Sequence, residues 1–124
     1  MPLRYGFEDN LLHITGEDMF TFEELEQLFS AALADPRFVK GMRMLIDARD
    51  LRSNPKLEEL RKRAELFASL KEHFTPGYAL VVTDTLYYGL GRMFQVFAQT
   101  EGVEVKIFND IDEARRYLAG DAEV

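Results

Sequence analysis

The chain has 124 residues, is 47% hydrophobic and carries a formal charge of -7, with 15 Lys and Arg against 22 Asp and Glu. Its length and apolar content suit a single domain over residues 1–124 that buries its own core, and the negative balance opposes the electrostatic term on which non-specific nucleic-acid binding depends. The absence of cysteine rules out a disulfide framework and a thiolate metal site.

Leu3, Tyr5 and Phe7 alternate with Arg4, Gly6 and Glu8, and Asp9-Asn10 separates them from a second run, Leu11 to Thr15, which predicts a β-hairpin. Thr21 with Glu24 forms a capping box, and Phe22, Leu25, Leu28, Phe29, Ala32 and Leu33 recur at helical spacing. The first helix therefore covers about Phe22 to Ala34, and Asp35-Pro36 stops it. Met42, Met44, Ile46 and Ala48 alternate with Arg43, Leu45 and Asp47 in the next strand. Ser53-Asn54-Pro55 opens a second helix with Pro55 in its first turn, and Leu57, Leu60, Ala64, Phe67 and Leu70 form its inward stripe. Glu58 with Lys62 and Glu59 with Arg63 are favourable pairs, so Arg61-Lys62-Arg63 reads as a solvated face, with an anion or partner patch as the alternative.

A strand of buried type, Tyr78 to Thr83, runs into a third helix that extends from Thr85 to Gln99. Gly89 and Gly91 fall inside that helix and lack the third glycine and tight turn of a dinucleotide fingerprint. A glycine there costs about 1 kcal/mol relative to alanine, which points to close approach of the helix to the sheet. Gly102 reads as the C-terminal cap, and Val103, Val105 and Ile107 alternate with Glu104 and Lys106 in a half-exposed strand. Asp110 with Glu113 caps a last helix through Leu118, ended by Gly120. Helices alternate with strands after the hairpin, so an α/β sheet with parallel later strands is expected.

This order, together with Met44-Leu-Ile-Asp-Ala-Arg-Asp-Leu51, Tyr88-Gly-Leu-Gly-Arg-Met-Phe94 and Val105-Lys-Ile-Phe-Asn-Asp110, resembles the SpoIIAA-like proteins of the STAS/SEC14 group. The resemblance implies a mixed five-stranded sheet with about four helices, and a non-enzymatic binding or regulatory role. Its SEC14 side suggests an apolar or lipid-like small molecule held near the third helix. Anti-sigma factor antagonists of the broader fold accept phosphate on a serine in an Asp-Ser-Ser-Gly type segment where the helix after the third strand begins. Here that region reads Leu51-Arg-Ser-Asn-Pro-Lys-Leu57, without the motif, and Ser53 reads as an N-cap or turn residue. The alternative function is a protein–protein regulatory module whose partner loop contains Arg49, Asp50, Ser53 and Asn54.

The third helix is the anomaly. Its polar residues Arg92, Gln95 and Gln99 form one narrow stripe, and Leu86, Tyr87, Leu90, Met93, Phe94, Val96 and Phe97 occupy the rest, an arc wider than one sheet contact requires. Burial under a neighbouring helix would account for it structurally. Functionally it suggests a subunit interface, a membrane-facing surface or a pocket for an apolar molecule, with Tyr87, Tyr88, Leu90, Arg92, Met93, Phe94 and Phe97 as candidates. Met93 would then be the adaptable contact and Tyr87 or Tyr88 the polar mouth.

Asp47, Asp50, Asp84 and Asp110 fall at or just past predicted strand ends, where open α/β sheets bind ligands, but capping and loop roles explain them more simply than a divalent metal. His13 and His73 are too few for an all-histidine zinc site, and no Ser-His-Asp arrangement is recognisable. No catalytic residue, metal or cofactor is therefore assigned, and an enzyme using the aspartate-rich edge ranks third. The N-terminus lacks a hydrophobic signal region and no apolar run is long enough to span a membrane. The expectation is a cytoplasmic, non-catalytic domain that binds an apolar molecule or lipid, or a protein partner, with homodimer formation and peripheral membrane contact as alternatives.

Overall fold

A computed structural model describes residues 2–52 and 54–120. Strands β1 (Leu3–Glu8) and β2 (Leu11–Asp18) form the antiparallel hairpin, turning at Asp9, whose φ of 50° is tolerated because a short polar side chain can bond locally. β2 continues to Asp18, past the Thr15 that alternation marks, because its register shifts between Thr15 and Glu17. The shift is built around a residue without a side chain: a β-carbon on Gly16 would lie 3.0 Å from Leu51 Cδ2 and 3.3 Å from Leu3 Cδ2.

The chain continues through α1 (Phe22–Ala34), β3 (Arg43–Leu51), α2 (Leu57–Ser69), β4 (Tyr78–Val81), α3 (Thr85–Thr100), β5 (Val105–Phe108) and α4 (Ile111–Leu118). Thr21 and Glu24 make both bonds of the capping box at the start of α1, at 3.0 and 2.8 Å. The architecture is α/β, a five-stranded mixed sheet in the order β1-β2-β3-β4-β5 with parallel pairing from β2 onward. Strands that advance in one direction through right-handed crossovers carry their helices on one face. Accordingly α1, α2 and α3 share the larger core, while α4 alone packs Ala114 and Leu118 onto Leu45, Ala79 and Val81 on the opposite face. Phe67 of α2 ties the three helices together, edge-on to Phe29 of α1 at 5.2 Å and to Phe94 of α3 at 5.3 Å.

Several local expectations are corrected. α2 begins at Leu57 behind Lys56, so Pro55 precedes the helix instead of filling its first turn, and Ser53 lies outside the described residues. Leu57 is 52% exposed, because the first turn of α2 has no covering element and the inward stripe starts only at Leu60. The basic run is not a uniform solvated face: Arg61 lies over the Phe97 ring, Lys62 over Phe22, and Arg63 is buried over Phe20. Asp47 lies within β3, not at its end, since the lengthened β2 keeps pairing with β3 as far as Leu51, whereas Asp50 is the penultimate residue of the strand. Asp84 and Asp110 do cap helices, accepting from Leu86 N at 2.9 Å and from Asp112 N at 2.7 Å.

Candidate functional site

In each strand, successive side chains alternate between faces, and this alternation sends Ile14 of β2, Ile46 and Ala48 of β3, and Leu80 of β4 toward the three-helix side. Val82, just beyond β4, joins them. α1 and α3 approach the sheet backbone at its two edges, β1 and β5, whereas α2 runs close along α3 and approaches no strand as nearly. Space remains under α2. It forms a partly open cavity of about 110 Å³ whose lining is almost wholly apolar.

Leu60, Arg63 and Phe67 of α2 and Tyr87, Leu90, Gly91 and Phe94 of α3 bound the cavity, with Phe20, Leu25, Leu51 and Pro55 completing the wall. Three lining positions, Gly16, Ala48 and Gly91, contribute little or no side-chain volume. A β-carbon on Gly91 would meet Leu80, Val82 and Ile107 at 3.4 to 3.7 Å, which is ordinary contact, so α3 comes close to the sheet there yet leaves room for a methyl group. Ile46 reports the same vacancy: it sits on the middle strand of the sheet, faces the helices, and is only half-buried.

Two charged residues border the cavity. Asp47 accepts from Arg49 Nε at 2.9 Å, Nη2 at 2.8 Å and the backbone N–H at 3.2 Å. Burial pushes the Asp47 carboxyl up, but these bonds more than offset it and hold the group below the usual carboxylate range. Alternation with Ile46 and Ala48 assigns this carboxylate to the α4 side of the sheet. Arg63 remains on the cavity side, 9% exposed, with its guanidinium 4.3 Å from the Phe20 ring centre and bonded to Glu59 at 3.1 and 3.2 Å. Burial lowers the Arg63 pKa, with Glu59 acting in the opposite direction.

The structure divides the sequence candidates of α3. Tyr87, Leu90 and Phe94 line the cavity. Tyr88 and Met93 project outward with Leu86 and Val96, at 43%, 38%, 59% and 53% exposure, and Arg92 is exposed as well. Phe97 packs under Arg61, and Gln95 turns to β5, donating to the Val105 carbonyl at 2.6 Å. Of the partner-loop candidates, Arg49 pairs with Asp47, Asp50 and Asn54 are exposed, and Ser53 is outside the described residues.

Ile14, Ile46, Ala48 and Leu80 are not site candidates in the sequence, and Arg63 is one only within the whole run Arg61-Lys62-Arg63, as its alternative anion or partner patch. For Arg63 a signal existed, since it lies three residues after Leu60 and four before Phe67, on the inward stripe of its helix. On the other sheet face His13 Nδ1 lies 3.3 Å from Glu8, which also pairs with Arg115 of α4. Among the described residues no group of three or more His, Asp or Glu is placed to hold a metal ion, and no helix is long and apolar enough to cross a membrane. Comparison with protein-family models, with curated proteins and with solved structures gave no match.

Proposed function

We propose that this domain is a non-catalytic, cytoplasmic binding module that reversibly takes the apolar part of a small molecule into the cavity between α2, α3 and the sheet. The observation that carries this is the half-buried Ile46 on the middle strand, above which apolar side chains leave the space unfilled. An apolar cavity of ~150 Å³ stays dry and accepts benzene, so one of about 110 Å³ suits a short acyl segment or a single ring. Burying about five methylenes at ~0.8 kcal/mol each supplies ~4 kcal/mol, which corresponds to millimolar affinity for a plain chain. The resemblance to SpoIIAA-like proteins of the STAS/SEC14 group supports the same non-enzymatic role.

Titration with hexanol followed by methyl NMR tests the proposal. Saturable shifts are expected at Ile14, Ile46 and Leu80, with none at Leu45 or Val81 beneath α4. Absence of saturable shifts at the first group refutes it. A second function, recognition of a protein partner or a second copy, is favoured by one separate observation, the exposed strip of Leu86, Met93 and Val96 on α3.

A further inference from the structure

A guanidinium carries five N–H donors. Arg63 spends two of them, on Nε and Nη2, and both go to the same oxygen, Glu59 Oε2, at 3.2 and 3.1 Å. The remaining three, two on Nη1 and one on Nη2, meet no protein acceptor among the described residues. Arg63 is only 9% exposed as a residue, lies over the Phe20 ring and borders an apolar cavity, while its Nη1 keeps contact with solvent. Donors so placed gain most from a planar acceptor with two oxygens, because parallel N–H bonds from one guanidinium edge match a carboxylate.

Resting on the cavity-binding function proposed above, the geometry points to an organic monocarboxylate as the ligand, its short chain or ring filling the space over Ile46 and Leu80 and its carboxylate meeting Arg63. Charge sets the class. Asp47, the other charged residue of the lining, is held by Arg49, and Glu59 already neutralises part of the Arg63 charge. Arg63 and Glu59 together sum to zero, so a monoanion leaves one net negative charge at the site and a phosphate dianion leaves two, which disfavours the dianion more strongly. Glu59 is itself part of the design: by holding Nε and one Nη2 donor it fixes the plane of the guanidinium and leaves one edge free.

Parallel titrations of the intact protein with hexanoate and hexanol provide the test. Wild type is expected to bind hexanoate at least tenfold more tightly than hexanol, and the Arg63 Nε resonance to shift with hexanoate alone. Arg63→Met, checked for folding by circular dichroism, should weaken hexanoate at least tenfold more than it weakens hexanol, while Arg63→Lys, which keeps the charge without the planar fork, should fall between. Equal binding of the two ligands by wild type, or an unmoved Arg63 resonance under hexanoate, overturns the inference and leaves the cavity function standing. Binding of neither overturns both. The wild-type measurements decide the matter even if Arg63→Met does not fold.

Discussion

Replacing Ala48 by leucine probes the cavity from the sheet side. Ala48 lies on β3 at 7% exposure with its side chain toward the space under α2. Leucine adds three carbons, and burying them at ~0.8 kcal/mol each is worth ~2.4 kcal/mol, from which ~0.5–1 kcal/mol of lost rotamer freedom is subtracted. If the space is vacant, Ala48→Leu should stabilise the domain by about 1–2 kcal/mol, raising Tm by roughly 3–10 °C. In an already filled core the same change would overpack and destabilise by about 1–3 kcal/mol, so the sign alone discriminates. Urea unfolding supplies the midpoint and slope, and a hexanol titration supplies the second readout, where affinity should fall at least tenfold. A lower midpoint with an unchanged slope would refute the vacancy. A higher midpoint with unaltered hexanol binding would place the ligand elsewhere.

Gly91→Ala should be neutral or stabilising by up to ~1 kcal/mol, since helix propensity improves and the new methyl finds 3.4 Å of clearance; a clear loss of stability would show that α3 is seated more tightly on the sheet. Phe94→Ala, which removes a ring buried against Phe67, should cost about 3–5 kcal/mol, whereas Met93→Asp on the outer strip should stay within ~0.5 kcal/mol; a changed sedimentation coefficient for folded Met93→Asp would assign that strip to self-association. Asp84→Ala should lose ~1 kcal/mol by removing the α3 cap, with Asp84→Asn retaining most of it, and equal losses in urea melts would contradict a capping role. The Asp47 carboxyl lies lower folded than unfolded, so the unfolded chain binds more protons below pH ~4. Its contribution is therefore present above that pH and is lost as pH falls through the folded value. Urea midpoints of Asp47→Asn should accordingly fall less steeply with acid than those of wild type, and parallel acid profiles would show that the Arg49 pairing is not coupled to folding.

The order of elements was legible in the sequence because alternation, capping boxes and helical spacing are local signals. Thr21 with Glu24, Asp84 and Asp110 mark their helices directly, and Gly102, at φ 80°, ends α3. The end of β2 was not legible, because the shift at Gly16 depends on Leu51 and Leu3, which are distant in the chain. The arc of α3 was visible, but not its division: Phe94 is buried by Phe67 of α2, and Met93 is left exposed, because the position of one helix over another is a tertiary property. Arg63 was hidden by its neighbours, since a run of three basic residues resembles a solvated face until Phe20 and the cavity are placed beside it. The cavity itself arises beside Ala48 and Gly91, which contribute little or no side-chain volume, and small residues acquire that meaning only once the strands and helices that carry them are brought together.

A crystal structure of the protein grown with hexanoate tests the central claim most directly. The account predicts density for the chain between Ile46, Leu80 and Phe94, with the carboxylate at Arg63 and Glu59 still bonded to the guanidinium. Hexanoate bound only along Leu86, Met93 and Val96, or a site under α2 closed by the protein's own side chains, would contradict it.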